Sequence, residues 1–405
     1  MDTRHNSLLT INAGSSSLKV VLYELDSGLV APTRPFELAI TDIGQPSSSV
    51  LVVVDGIPVI KQMYAIADHA VATDIFIQHL SDKIPMQSIT AIGHRIVYAG
   101  PDYVQPTMID DQLETTLRSL ARFDPEHAPA TLQLITSLKQ RFPRAVHVAC
   151  FDTAFFHDLP LVARHIAIPR RFTTGGVRRF GFHGLSYTHL MTTFQDIAGA
   201  EAASGRVILA HLGSGASVAA LRGGKPIETT MGLTPTSGVV MGARSGDVDP
   251  NLAWFLQQQS GMTLDEYTHM INFESGLLAV SGLSSDMYTL LQSQTTNPHA
   301  AEAVDLFCYQ VKKAIGALAA TIGGVDSLVF SGGIGEKSAE IRSRICDGLG
   351  FLGVQLDESA NATGGDLISA QGSGVGVHVI ATDESRVIAS QVGALLHTQT
   401  SQGDF

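Results

Sequence analysis

An apolar run that is broken by a knot of small polar residues and then resumes has one simple outcome, which is to fold back on itself. This chain does it twice, in LLTINAGSSSLKVVLYEL over residues 8–25 and in VILAHLGSGASVAAL over Val207–Leu221. In each copy Gly and Ser supply a tight turn and the flanking apolar residues supply two strands. One strand–turn–strand unit in each half of a 405-residue chain implies a duplicated α/β domain. Turns of this kind expose backbone N–H groups and hydroxyls, which bind phosphate oxygens. Two related lobes facing each other across a cleft would then hold opposite ends of one phosphate chain. Neither turn is a P-loop, because G-x-x-x-x-G-K-[ST] does not occur in the sequence.

Between the two copies strands and helices alternate. VLVVVDGIPVIK reads as a hairpin around Asp55-Gly56, and residues 69–81 as a helix. Pro129 opens a helix to about Phe142, with Leu134, Ile135, Leu138 and Phe142 on one face. Asp249-Pro250 predicts a helix beginning there. Residues 298–322 hold the longest helix, and SLVFSGGIGEKSAEIRSRI reads as strand, glycine turn, helix. A strand, an acidic loop and a final helix close the chain.

Composition narrows the function classes. A net charge of −12 without a Lys/Arg block argues against a general nucleic-acid binder. Cys150, Cys308 and Cys346 are too few and too scattered for a disulfide framework or a zinc site, which suits buried thiols in a reducing compartment. The N-terminal MDTRHNS lacks the form of a signal peptide, and no apolar run is long enough to span a bilayer. A cytoplasmic protein without membrane or nucleic-acid partners is the expectation.

Several residue types point to anion chemistry. Lys19 follows the first Gly/Ser turn. Gly332, Gly333 and Gly335 lie between a strand and a helix, where backbone donors can meet a nucleotide. Arg95 ends the apolar strand of GHRIV, and Arg244 sits among glycines in GARSGDVDP; either guanidinium could clamp a carboxylate or phosphoryl group. His183, in FGFHG, could donate to a transferring oxygen, as could His127 or His211, although a lone histidine is more often structural. Asp152 and Glu384 follow buried strands, where open α/β sheets place ligands, and paired carboxylates beside phosphates suit Mg²⁺. Helix capping is the alternative for Glu384.

INAGSSSLK, GHRIV, FDTAF, RRFGFHG, HLG-x-GAS, TPTSG-x-x-MGARSGDVDP, GLSSDM and SGGIGE together resemble the acetate kinase family and its propionate and butyrate kinase relatives. The resemblance runs from about residue 8 to residue 397. It implies two actin-like, ribonuclease H-like α/β domains flanking a cleft. Residues 1–152 with 385–405 would form an N-terminal lobe on the acyl and phosphate side, and residues 153–384 a nucleotide-binding lobe. The implied reaction joins ATP and acetate to give acetyl phosphate and ADP, with Mg²⁺ or Mn²⁺, in a homodimer. It implies that Arg95, Asp152, His183 and Arg244 are catalytic and that Arg95, Val97, Phe182 and Pro235 bind the acid. The nucleotide would meet Lys19, His211, Gly213, Ser214, Gly215, Asp286, Gly333, Ile334, Gly335 and Lys337. Ser15, Ser17 and His127 would support the site, and Asn12 and Glu384 the metal. Alanine at Arg95 or Arg244 is expected to collapse turnover with the fold intact.

The chain departs from the family pattern at Ser214, Tyr288 and Lys337, which bear on the phosphoryl donor. It departs also at Tyr98, Ala99, Glu126 and Tyr187. Two rivals therefore stand beside acetate kinase: a propionate or butyrate kinase or one with another donor, and a nucleotide-binding regulator of the actin or heat-shock type.

Overall fold

The computed structural model describes residues 6–14, 16–26, 29–30, 33–125 and 127–402. Ser15 and Glu126 lie outside the described residues. Contacts divide the chain into two units, Met1–Ala154 with Asp383–Phe405, and Phe155–Thr382.

The first unit holds strands β1 (Asn6–Ala13), β2 (Leu18–Asp26), β3 (Leu29–Val30), β4 (Phe36–Thr41), β5 (Ser48–Val54), β6 (Ile57–Tyr64), β7 (Ile89–Ile96), β8 (Thr107–Met108) and β9 (Val146–Phe151). They form one sheet in the order β6-β5-β4-β2-β1-β7-β9-β8, with β3 beside β2. The second unit holds β10 (Arg206–Leu212), β11 (Ala216–Arg222), β12 (Lys225–Thr229), β13 (Ser327–Ser331) and β14 (Gly376–Val379), ordered β12-β11-β10-β13-β14.

The duplication is visible in these orders. β4-β2-β1-β7-β9 and β12-β11-β10-β13-β14 are one pattern: an antiparallel meander on one side, then parallel strands reached by crossovers. The expected duplicated α/β fold is therefore present. The turns of the two original hairpins, β1–β2 and β10–β11, hold the same place in each sheet. Alternating burial along β4 and unbroken burial along β13 follow from their positions, one outside the parallel strands and one among them.

The final helix, Glu384–Gln402, packs on the first unit's sheet. It comes so close to β7 that a Cβ at Gly93 would stand 2.4 Å from Ile388 Cγ2 and 2.8 Å from Val392 Cγ2. The helix Pro298–Ile322 has the ends its sequence predicts, with the Asn297 side chain accepting two amides and Gly323 in the left-handed region.

Two expectations needed correction. No helix begins at Asp249-Pro250; Asp249 Oδ1 takes the Asn251 amide into a local turn, and the helix runs Leu252–Ser260. SGGIGEKS is not an open glycine turn. Gly332–Lys337 is itself helical because Glu336 Oε1 accepts the Gly332 amide at 2.9 Å, and a second helix, Ala339–Cys346, follows from Ser338.

Within the first unit, His94 Nε2 and His147 Nδ1 lie 3.0 Å apart with their rings stacked. Burial lowers both: His147 to about 4, and His94 well below the usual value, with the neighbouring His147 adding to the effect. Lys139 lowers both as well, and on His147 the Phe142 backbone and Glu114 oppose it. Both rings are therefore neutral in the fold and charge more readily once unfolded. Stability is complete above pH 6.5 and falls as pH drops towards 4, by about 3 kcal/mol from His147. Urea midpoints measured across that window should fall steeply in the wild type and less in His147→Gln; equal slopes would remove His147 as the cause.

Candidate active site

In the first unit a polar cluster forms where β1, β7, β9 and the final helix meet. Asp152 follows β9 and is fully buried. Its Oδ2 accepts from Arg95 Nε at 3.0 Å and from Nη2 at 2.6 Å. Arg95 Nη1 donates to Asn12 Oδ1 at 3.0 Å and lies 3.4 Å from Glu384 Oε2, which accepts from Asn12 Nδ2 at 2.6 Å. Burial works against the Arg95 charge. Asp152, Glu384 and Asp124 outweigh it, so the guanidinium stays charged more firmly than usual.

Further residues support this cluster. His127 Nδ1 lies 2.8 Å from Asp124 Oδ1. Asp383 is paired with Arg34, and its Oδ1 accepts the Arg386 amide, which fixes the start of the helix carrying Glu384. Burial raises the Asp383 carboxyl, but Arg34 and then Lys19 bring it below its usual range. In the Gly/Ser turn the Gly14 amide donates to Ser17 O, and Ser17 Oγ stands 2.6 Å from where a Cβ of Gly14 would be. His69 Nε2 is 2.9 Å from Gly14 O. Val97 is buried nearby in sequence, just beyond β7.

The oxygen-rich set of Asn12, Asp152 and Glu384 suits a hard divalent cation. Among the described residues no three of His, Cys, Asp or Glu gather into a cage. Mg²⁺ needs none, since it keeps waters and takes one or two carboxylates together with substrate phosphates.

The second unit carries the other cluster, around the Gly213–Ser214–Gly215 turn. His183 has φ 61°, the left-handed region that a non-glycine residue enters at a cost. The helix Gly184–Ala203 starts directly after it. Its ring stacks on His211 with centroids 4.3 Å apart. His183 Nδ1 is 2.8 Å from Ser217 Oγ, and His211 Nδ1 is 2.8 Å from Ser186 Oγ. Arg244 is buried and donates from Nη1 to Pro235 O at 2.8 Å. A Cβ on Gly215 would lie 2.5 Å from Arg244 Nη2 and 3.2 Å from His183 Nε2. Only glycine allows guanidinium and imidazole to reach the turn together.

Backbone hydrogen bonds help to tie down the Arg244 loop. The Gly242 amide donates to Ser214 O, and the Leu277 and Leu278 amides donate to Met241 O and Gly242 O. Phe182 and Pro235 are buried beside this cluster. Gly333, Ile334 and Gly335 lie in the short helix Gly332–Lys337, and Lys337 is exposed at its end. A Cβ on Gly332 would meet Leu212 O at 2.6 Å, so that helix abuts the end of β10. Asp286 caps the helix Met287–Ser293, with Oδ2 accepting from the Thr289 amide and hydroxyl.

Sequence reasoning missed Asp124, Asp383, Glu336 and Ser217. Asp124 stands three residues before His127 and Glu336 four after Gly332, spacings that could have flagged them. Nothing local marks Ser217, which reaches His183 from across the fold of its own unit.

The acetokinase family model matches residues 7–390. An acetate kinase of Rhodopseudomonas palustris is 42% identical over 395 residues, which is 96% of this chain and 98% of that protein. The crystal structure of Porphyromonas gingivalis acetate kinase is similar, with a TM-score of 0.82 at 33% identity, covering 96% of this chain and 100% of that one. A propionate kinase from Francisella tularensis gives 0.85 at 31% identity, covering 95% and 98%.

Proposed function

The chain belongs to the acetokinase family, and from that premise we propose how its residues divide the reaction. It is a phosphotransferase with a carboxyl group as acceptor, and it works as an acetate kinase, moving a phosphoryl group reversibly between ATP and acetate.

A carboxylate is already nucleophilic at pH 7, so no general base is required. The difficulty is bringing two anions together, and the remedy is electrostatic. Arg244 and His183 donate to the phosphoryl oxygens in flight. Arg95, held by Asp152, orients the acetate carboxylate, and His127 braces the same cluster through Asp124. Asn12 and Glu384 are the residues that would hold Mg²⁺, which when bound would supply positive charge against the phosphates. Ser15, Ser17, Lys19 and the first turn line the phosphates on the acyl side. His211 and the Gly213–Gly215 turn take the nucleotide's phosphates, and Gly333, Ile334, Gly335, Lys337 and Asp286 its nucleoside end. Val97 of the first unit, and Phe182 and Pro235 of the second, are the buried side chains assigned to the methyl group of the acid in this reading.

The observation that best supports this reading is Arg244 beside His183 at a turn where a Cβ has no room. Its test is a matrix of ATP, GTP and pyrophosphate against acetate, propionate and butyrate, read as kcat/KM. ATP with acetate should lead. One extra methylene shifts pocket binding by only about 1–3 kcal/mol, so propionate should follow rather than vanish. No acyl phosphate from any pair, with nucleotide still bound, would favour the regulator; a pyrophosphate optimum would reassign Ser214, Tyr288 and Lys337.

The assembly in this reading is a homodimer. No side chain of the helix Leu252–Ser260 is fully buried, and Trp254, Phe255 and Leu264 are exposed on or beside it. A second copy covering this apolar face would desolvate Trp254, the only tryptophan of the chain. Its emission should shift to the blue as concentration rises, and Trp254→Glu should sediment as a monomer. A wild type that sediments as a monomer at all concentrations would end that part of the reading. Among the described residues no helix is long and apolar enough to cross a membrane. The three cysteines are buried and unpaired, which supports a cytoplasmic, reducing setting.

A further inference from the structure

We propose that Tyr187 is a positioning residue which, acting through Ser217, holds the proton of the His183 ring on Nε2. This rests on the reading of His183 as a donor to the transferring phosphoryl group, and it adds the device that keeps the donor aimed.

Tyr187 lies one helical turn after His183, and its amide donates to His183 O at 3.0 Å. The residue is fully buried, with its ring packed against Phe155 and edge-on to Phe156. Its hydroxyl is 2.6 Å from Ser217 Oγ, and the same Ser217 Oγ is 2.8 Å from His183 Nδ1. Ser217 comes from β11, paired in register with His211 of β10. Phenol, serine and imidazole therefore form a chain of three.

Each hydroxyl in that chain has one proton to give. Burial raises the Tyr187 phenol, so it stays protonated, and the His211 backbone already donates to its oxygen. The buried phenol proton needs an acceptor, and Ser217 Oγ is the side chain in reach. With Tyr187 donating to it, Ser217 Oγ still has one proton to give, and in this proposal that proton goes to His183 Nδ1, 2.8 Å away. Nδ1 is then an acceptor, and the ring proton sits on Nε2. The opposite polarity would leave a fully buried phenol proton without a partner.

The consequence lies at the Gly213–Gly215 turn. His183 Nε2 is the ring nitrogen facing it, 3.2 Å from the position a Cβ of Gly215 would take, with Arg244 Nη2 beside that position. A neutral His183 in this tautomer presents N–H, not a lone pair, to an anionic oxygen. With the tautomer reversed, a lone pair would face the oxygen and oppose transfer.

The test is ring ¹⁵N spectroscopy of the full-length protein labelled at histidine, with His183 assigned by its loss in His183→Asn. The wild type should show a protonated Nε2 and a bare Nδ1. In Tyr187→Phe the two tautomers should mix, and kcat should fall about tenfold with KM for acetate and ATP nearly unchanged. Tyr187→Phe added to Ser217→Ala should cost nothing beyond Ser217→Ala alone. A wild-type spectrum with Nδ1 protonated overturns the proposal whether or not the variants fold, and so does Tyr187→Phe with the wild-type tautomer. A shifted tautomer with unchanged kcat would leave the relay standing and remove His183 from the chemistry.

Discussion

Replacing Arg244 with alanine lowers kcat by about 10²–10³-fold, roughly 3–4 kcal/mol in the barrier, while KM for either substrate changes little. The reason is position. The guanidinium is buried, is fixed by Pro235 O through Nη1, and lies with Nη2 at the glycine turn beside His183. Donors placed in advance spend no reorganisation energy when charge develops, so their loss falls on the transition state. The fold should tolerate the change. Its hydrogen bond to the Pro235 carbonyl is worth on the order of 1 kcal/mol. Steady-state kinetics at saturating acetate and ATP, with a thermal melt beside them, decide it: turnover within tenfold of the wild type would take Arg244 out of the reaction.

Arg95→Ala loses turnover too, but it also loses stability, contrary to the sequence-based expectation of an intact fold. Arg95 holds a fully buried carboxylate, that of Asp152, through Nε and Nη2. Removing the cation alone takes the guanidinium from a buried carboxylate, which costs about 3–5 kcal/mol for a buried pair. The double variant Arg95→Ala/Asp152→Asn should recover much of the melting temperature and none of the activity. The account fails if Arg95→Ala melts like the wild type, or if the second substitution restores nothing. The two arginines, alike in the sequence, thus separate in a combined assay: one affects rate alone, the other rate and fold.

The duplicated hairpin, the α/β class and the long helix Pro298–Ile322 were legible in the residues. Each rests on local pattern: apolar periodicity, caps, turn chemistry and residues adjacent in the chain. The helix start at Asp249-Pro250 and the open turn at Gly332 misled for different reasons. At Gly332 a side chain four residues on, Glu336 Oε1, closes a hydrogen bond that propensity does not register; at Asp249 the expected side-chain bond forms, but the helix starts only at Leu252.

The residue types needed to move a phosphoryl group onto an acid, and the twofold repeat that carries them, are properties of this sequence by itself. Tertiary structure alone decided which carboxylate is Arg95's counter-charge, why Gly215 admits no side chain, and which serine meets His183. These depend on atoms from distant strands and helices arriving within about 3 Å of each other, the range at which hydrogen bonds and desolvated charges act, and no spacing along a chain encodes that distance.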